Sequence, residues 1–196
     1  MIGICGIGFV GSALKTLLEK KHRIYAYDPY KPNSCTKEDI NSCEVVFLCV
    51  PTPFSWEKMD YDYSAIEDCL SWIEKDKLIV IKSTVQPGTC KKMSEKYGHK
   101  IVFNPEFLRE ITAVEDMINA DRTILGGKID DCQKVCDIYK AVYPFEMLYA
   151  FTTWEIAELT KIATNTFLAS KVSFCNEIKD LCDNMKISYD AFREVW

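Results

Sequence analysis

Met1-Ile2-Gly3-Ile4-Cys5-Gly6-Ile7-Gly8-Phe9-Val10-Gly11 opens the chain as a short apolar strand running directly into G-x-G-x-x-G. Each glycine of that spacing has its own task. Gly6 lets the backbone turn tightly out of the strand, Gly8 lets main chain approach a diphosphate, and Gly11 lets the following helix pack closely with its first amides facing the phosphates. Ser12-Ala13-Leu14-Lys15-Thr16-Leu17-Leu18-Glu19-Lys20 has helical periodicity. Arg23-Ile24-Tyr25-Ala26-Tyr27-Asp28 then reads as a second strand, with its carboxylate about twenty residues after the first glycine. A carboxylate there hydrogen-bonds ribose hydroxyls and repels a 2′-phosphate, so the expected cofactor is NAD rather than NADP. The plainer reading of Asp28 is an ordinary strand-terminal acid.

The chain has 196 residues, 48% of them hydrophobic and 27% charged, with a formal net charge of -5. That balance fits a soluble globular enzyme and excludes the basic surface that nucleic acid requires. Met1 to Cys5 is already a strand, and no apolar run reaches the roughly eighteen residues of a membrane span, so a cytoplasmic protein with no membrane partner is expected. Ten cysteines invite a disulfide reading. They fall inside expected strands and helices without a C-x-x-C pair, which makes them reduced, buried small hydrophobes. Cys132 and Cys136 stand one helical turn apart, but two thiols alone make a poor site, and no metal is expected.

Alternating strands and helices continue along the chain. Residues 44–50 form an apolar strand ended by Pro51-Thr52-Pro53. A helix over 63–74, a strand over 77–82, a helix over 87–97 and a strand over 100–103 follow. Strands over 122–126 and 146–151 flank a helix near 130–142. This is the α/β class, a doubly wound, mostly parallel, Rossmann-like sheet. At Thr152-Thr153-Trp154-Glu155 a threonine cap starts a helical pattern that runs to about residue 184, and a short terminal helix covers 188–196. Some thirty helical residues span about 45 Å, more than one such domain covers. The expected organisation is a nucleotide-binding domain over 1–151, then a long connecting helix over 152–196 that pairs with a second copy.

Three further constellations carry chemistry. Lys82-Ser83-Thr84-Val85-Gln86-Pro87-Gly88-Thr89 closes a strand with hydroxyls, and ligands bind at strand ends in such sheets. Thr84 either faces a ligand or caps the next helix. In Phe103-Asn104-Pro105-Glu106-Phe107-Leu108-Arg109-Glu110, Pro105 is placed as the first residue of a helix, which sets Glu106 and Glu110 four apart on one face. Complementing the helix dipole explains Glu106 without any function, and Glu110 less well. On the long helix, Glu158, Lys161 and Asn165 share a stripe. It is either a solvated ion pair or, given Ala157, Ala163 and Ala169 nearby, a closely packed polar site.

Six segments in order resemble the UDP-glucose/GDP-mannose dehydrogenase family over nearly the whole chain. They are Gly6 to Gly11, Val50-Pro51-Thr52-Pro53, Lys82-Ser83-Thr84-Val85, Asn104 to Glu110, Asn119-Ala120-Asp121-Arg122, and Ala157-Glu158 through Lys161 to Asn165. The resemblance implies an NAD-dependent, four-electron oxidation of the C6 alcohol of a nucleotide sugar, UDP-glucose first, to a carboxylate with two NAD. Carried over by position, Gly6, Gly8, Phe9, Val10, Gly11, Asp28, Pro51, Thr52, Ser83 and Thr84 hold NAD. Glu106, Phe107, Leu108, Arg109, Glu110, Lys161 and Asn165 line the sugar site. Thr84, Glu110, Lys161 and Asn165 are the implied catalytic set: Lys161 and Asn165 hold the reacting oxygen, Lys161 offsets oxyanion charge, and Glu110 is a general base through a water. The implied oligomer is a homodimer through the long helix.

The resemblance also shows departures. The family's cysteine nucleophile lies in a Gly-Phe-Gly-Gly-x-Cys-x-Pro-Lys-Asp segment beyond the central helix, and no such segment occurs in these residues. The expectation is a chain lacking full activity by itself. Ile111 replaces a small residue, and Lys31 follows Asp28 too closely to inherit a ribose contact. Two other readings remain at this stage: a non-catalytic NAD-binding or dimerisation module, and a dehydrogenase of the 3-hydroxyacyl-CoA or 6-phosphogluconate type.

Overall fold

The computed structural model describes residues 1–144 and 146–196. From the N-terminus, β1 (Ile2–Cys5), α1 (Phe9–Leu18), β2 (Ile24–Tyr27), α2 (Lys37–Asn41) and β3 (Val45–Leu48) form the first βαβαβ run. A two-stranded hairpin, β4 (Phe54–Ser55) and β5 (Asp60–Tyr61), precedes α3 (Ser64–Trp72), β6 (Leu78–Ile81), α4 (Thr89–Tyr97) and β7 (Lys100–Phe103). There follow α5 (Ala113–Ile118), β8 (Arg122–Gly126), α6 (Ile129–Val142), β9 (Leu148–Thr152), α7 (Trp154–Met185) and α8 (Tyr189–Val195).

Seven strands build one sheet in the order β2-β1-β3-β6-β7-β8-β9, parallel except where β8 meets β7 at the single pair Phe103↔Gly126. β1, β3 and β6 are buried at every residue, as central parallel strands covered on both faces must be. Alternation then sorts their side chains. Val45 and Phe47 join the core under α1, α5 and α6, while Val46 and Leu48 join the core under α2, α3 and α4. Because β2 and β3 lie on opposite sides of β1, the order reverses between β1 and β3, where such sheets open a crevice at their C-terminal ends.

The expected class and most elements are present, with three differences. α2, α5 and the β4–β5 hairpin were not anticipated. The helix expected from Pro105 does not form: 104–109 is extended, and only a single 3-10 turn, Glu110–Thr112, leads into α5. The Asn104 side chain fixes one end of this loop to Thr123 Oγ1 and the Ile124 carbonyl, and Arg109 fixes the other through Asp116. α4 begins at Thr89 rather than Pro87, because Gly88 takes φ +89 and forms the turn.

The chain divides into two compact units, Met1–Lys161 and Ile162–Trp196. The first takes in the opening turns of α7, where Ala157 lies over β8. A Cβ on Gly126 would stand 2.7 Å from the Ala157 methyl, so only glycine admits this approach. In the second unit, the rest of α7 turns at Lys186 into α8, whose N-terminus is capped by the Ser188 hydroxyl. Phe174, Phe192 and Trp196 pack there, Phe174 tilted against Trp196 and Phe192 stacked on it, with centroids 5.9 and 5.6 Å apart. Ala163 and Ala169, expected at closely packed positions, are exposed.

Candidate functional site

A cleft of about 970 Å³ opens at the C-terminal ends of the parallel strands, wholly within the first unit. Its floor is the turn after β1. Gly6 has φ +88, and a side chain there would meet the Cys49 carbonyl at 2.6 Å. Gly11 seats α1 so closely that a Cβ would lie 1.9 Å from the Gly6 carbonyl oxygen. Gly8 differs: apart from its chain neighbours no described atom comes within 4 Å of its Cβ position, so the space above it is open to a ligand. Gly8 is the N-cap of α1 and offers no side chain to its first amides. A loop bare of side chains at a helix N-terminus fits a diphosphate.

Asp28 closes one side. Its carboxylate accepts the Ile7 amide at 2.9 Å and the Tyr30 amide at 3.1 Å, which braces the glycine loop and leaves lone pairs over for ribose hydroxyls. Lys31, set aside in the sequence for its spacing, also lines the cleft, and its ammonium bonds the Ile7 carbonyl. Asp28 and Lys31 therefore hold the two successive peptide groups that flank Ile7. Phe9, Val10 and Pro51 line the cleft. Thr52 does not line it, and instead donates its hydroxyl to the Thr84 carbonyl at 2.7 Å. Ser83 donates to the Val50 carbonyl at 2.5 Å. These two bonds tie the loop after β3 to the loop after β6.

Thr84 lines the cleft and is no helix cap. The first amides of α4 go to Glu158, whose carboxylate accepts Gly88 N–H at 2.6 Å and Cys90 N–H at 2.8 Å. Glu158 is fully buried, and burial raises its pKa against the opposing effect of those amides. Of the two readings of the stripe, the solvated pair of Glu158 with Lys161 is absent, for Glu158 is a structural cap reaching in from another helix.

Lys161 does reach the cleft, beside Glu106 and Leu108. Its ammonium bonds the Glu106 carbonyl and lies 4.9 Å from the Phe107 ring centroid. Burial lowers its pKa, with the Glu106 carboxylate opposing and the Lys82 charge adding to the effect. Phe107, Arg109 and Glu110 are exposed and are not among the residues of the cleft wall. The extended loop turns them outward, where the expected helix would have stacked Glu110 with Glu106. Asn165 is exposed on α7 in the second unit.

Sequence reasoning gave no role to Lys82 or Tyr139. Lys82 is 4% exposed, and its ammonium stands 2.8 Å from Glu106 Oε2. The available signal was a lysine closing the apolar run Leu78-Ile79-Val80-Ile81, since a charge in that place needs a buried counter-ion. Among the described residues no cluster that could hold a metal ion occurs, and no helix is long and apolar enough to cross a membrane.

The sheet order, the bare glycine loop and the acid after β2 define a dinucleotide-binding domain. The NAD binding domain of the UDP-glucose/GDP-mannose dehydrogenase family matches residues 10–144, and that family's central domain matches residues 155–196. The chain belongs to this family, and the cofactor of its cleft is NAD. A UDP-glucose 6-dehydrogenase from Rickettsia conorii is 34% identical over 167 residues, which cover 81% of this chain and 38% of the relative. The structure of a UDP-glucose dehydrogenase from Pyrobaculum islandicum superposes with a TM-score of 0.85 at 26% identity, covering 99% of this chain and 56% of that one. A GDP-mannose dehydrogenase from Pseudomonas aeruginosa, at 24% identity and a TM-score of 0.86 over 99% of this chain and 56% of its own, shares the fold. The chain spans less than half the length of the Rickettsia relative.

Proposed function

We propose that this chain forms the cofactor-binding part of a nucleotide-sugar 6-dehydrogenase, which oxidises the C6 alcohol of a nucleotide sugar, UDP-glucose first, to the carboxylate with two NAD per substrate. The observation that carries this reading is Lys161, whose side chain reaches the wall of the same cleft that the glycine loop opens. A cation there offsets the charge that develops on an alcohol oxygen as its proton leaves. When bound, NAD supplies the hydride acceptor. The amides of the glycine loop and the N-terminus of α1 hold the diphosphate, Asp28 orients the ribose, and Thr84 presents its hydroxyl at the end of β6. Of the two acidic residues of the loop, Glu106 is on the cleft wall, so the proton-accepting role first given to Glu110 is proposed for Glu106 instead.

No cysteine is assigned as nucleophile. Cys49 lines the cleft, but burial pushes its thiol up to about 12, with Lys82 only partly opposing, and the thiol is a poor nucleophile. The homodimer is proposed through the long helix. It is supported by Phe167, Leu168, Val172, Phe174, Leu181 and Met185, each more than half exposed on α7.

The alcohol–aldehyde half of the reaction needs no thiol and tests the reading directly. Given NADH and the 6-aldehyde of UDP-glucose at high concentration, the chain should consume NADH and form UDP-glucose. Lys161→Met should lower that rate about 10²-fold while leaving NAD affinity unchanged. Tight NAD binding with no aldehyde-dependent consumption would favour a non-catalytic NAD-binding module.

A further inference from the structure

Lysine is almost never fully buried without a partner, and Lys82 has several. Besides Glu106 Oε2 at 2.8 Å, its ammonium faces Asn104 Oδ1 at 3.0 Å and the Tyr139 hydroxyl at 3.5 Å. Tyr139, on α6, donates to the same Asn104 oxygen at 2.7 Å. The Asn104 amide nitrogen gives its protons to Thr123 Oγ1 at 2.7 Å and the Ile124 carbonyl at 2.9 Å. The amide orientation is therefore fixed by β8, and its oxygen is committed to Lys82 and Tyr139. Four residues from β6, the loop after β7, and α6 thus close a fully bonded network behind the cleft wall.

Glu106 is the member of this network that also faces the cleft. Its two polar ends are divided between two lysines: the carboxylate goes to Lys82 and the main-chain carbonyl to Lys161. Among the described residues, Lys161 forms no ion pair. Glu158, one turn earlier on α7, is engaged by the α4 amides. The charged groups facing Lys161 are Glu106 from the loop after β7 and Lys82 at the end of β6, with the Phe107 ring beside them.

We propose that Lys82 is a positioning residue of the cleft, which claims the Glu106 carboxylate and so leaves Lys161 without a carboxylate partner, free to engage the reacting oxygen. The inference rests on the function proposed above for its chemical purpose, but the arrangement itself is testable in the ligand-free chain. Removing the Lys82 charge withdraws a repelling cation from Lys161 and releases a carboxylate that can turn to it. Both changes favour the charged amine.

The test is competitive acetylation of lysine amines across pH with acetic anhydride, read by mass spectrometry on the peptide containing Lys161. In Lys82→Met the reactivity profile of Lys161 should move up by about one pH unit, a tenfold loss of free amine at fixed pH. Lys82→Met combined with Glu106→Gln should return it to the wild-type position or below. An unchanged profile in a natively folded Lys82→Met protein would overturn the proposal. Should Lys82→Met not fold, Glu106→Gln decides: a downward move of less than about one pH unit means the carboxylate serves Lys82, and a larger one means that it serves Lys161 and refutes the proposal. Neither outcome depends on NAD or sugar, so failure here is distinct from failure of the dehydrogenase reading.

Discussion

Asp28 and Ile7 are joined across the mouth of the cleft, the Asp28 carboxylate accepting the Ile7 amide at 2.9 Å over a separation of 21 residues. One side chain thereby braces the glycine loop and brings a negative charge to the place proposed for the cofactor ribose. Replacing Asp28 by Asn keeps an acceptor for the amide and removes the charge. We expect Asp28→Asn to remain folded and to shift the ratio of NADP to NAD affinity about tenfold toward NADP, ~1.4 kcal/mol. Calorimetric titration with both nucleotides checks this, and an unchanged ratio would show that the carboxylate does not face the ribose.

The Glu158 cap has a pH signature. Burial raises the folded-state pKa above its ordinary value near 4.5. The native protein therefore holds this proton more tightly than the unfolded chain does, and the contribution of Glu158 to stability falls as pH rises from that value through the raised one. Glu158→Gln should flatten that part of the stability curve in urea melts from acid to neutral pH. Glu158→Ala, which strands the Gly88 and Cys90 amides, should cost roughly 1.5–3 kcal/mol.

Gly11 and Gly8 predict opposite behaviour from similar substitutions. A methyl on Gly11 would meet the Gly6 carbonyl oxygen at 1.9 Å, and because that oxygen is backbone the strand-to-helix turn must open. Gly11→Ala should lower stability by about 2 kcal/mol or more, visible as a depressed melting temperature with no ligand present. A melting temperature equal to wild type would mean that the turn is looser than described.

How much of this was legible beforehand follows from how far apart the partners lie in sequence. The glycine turn, α1, β2 and Asp28 are local, and the spacing that identifies them also builds them. The long helix was equally legible, because its threonine cap and apolar period are written in order. The Lys82–Glu106 pair was not: it joins the ends of neighbouring strands, and only the sheet order brings β6 and β7 side by side. The loop over 104–109 was misread for a related reason. Pro105 followed by an acid is a sound helix start, but Asn104 and Arg109 are held by β8 and α5, and these tertiary bonds keep the segment extended. The short α2 did carry a local signal, since Thr36 and Asp39 form a capping box that went unread.

The most direct test of the central claim, that the bare loop after β1 is where NAD sits, is a calorimetric titration of NAD into wild type and Gly8→Val. Because no described atom beyond its chain neighbours lies within 4 Å of the Gly8 Cβ position, the substitution should leave the melting temperature unchanged and place its side chain where the diphosphate belongs. Saturable binding to wild type and none to Gly8→Val is the expected result. Equal affinity in the two proteins would contradict it.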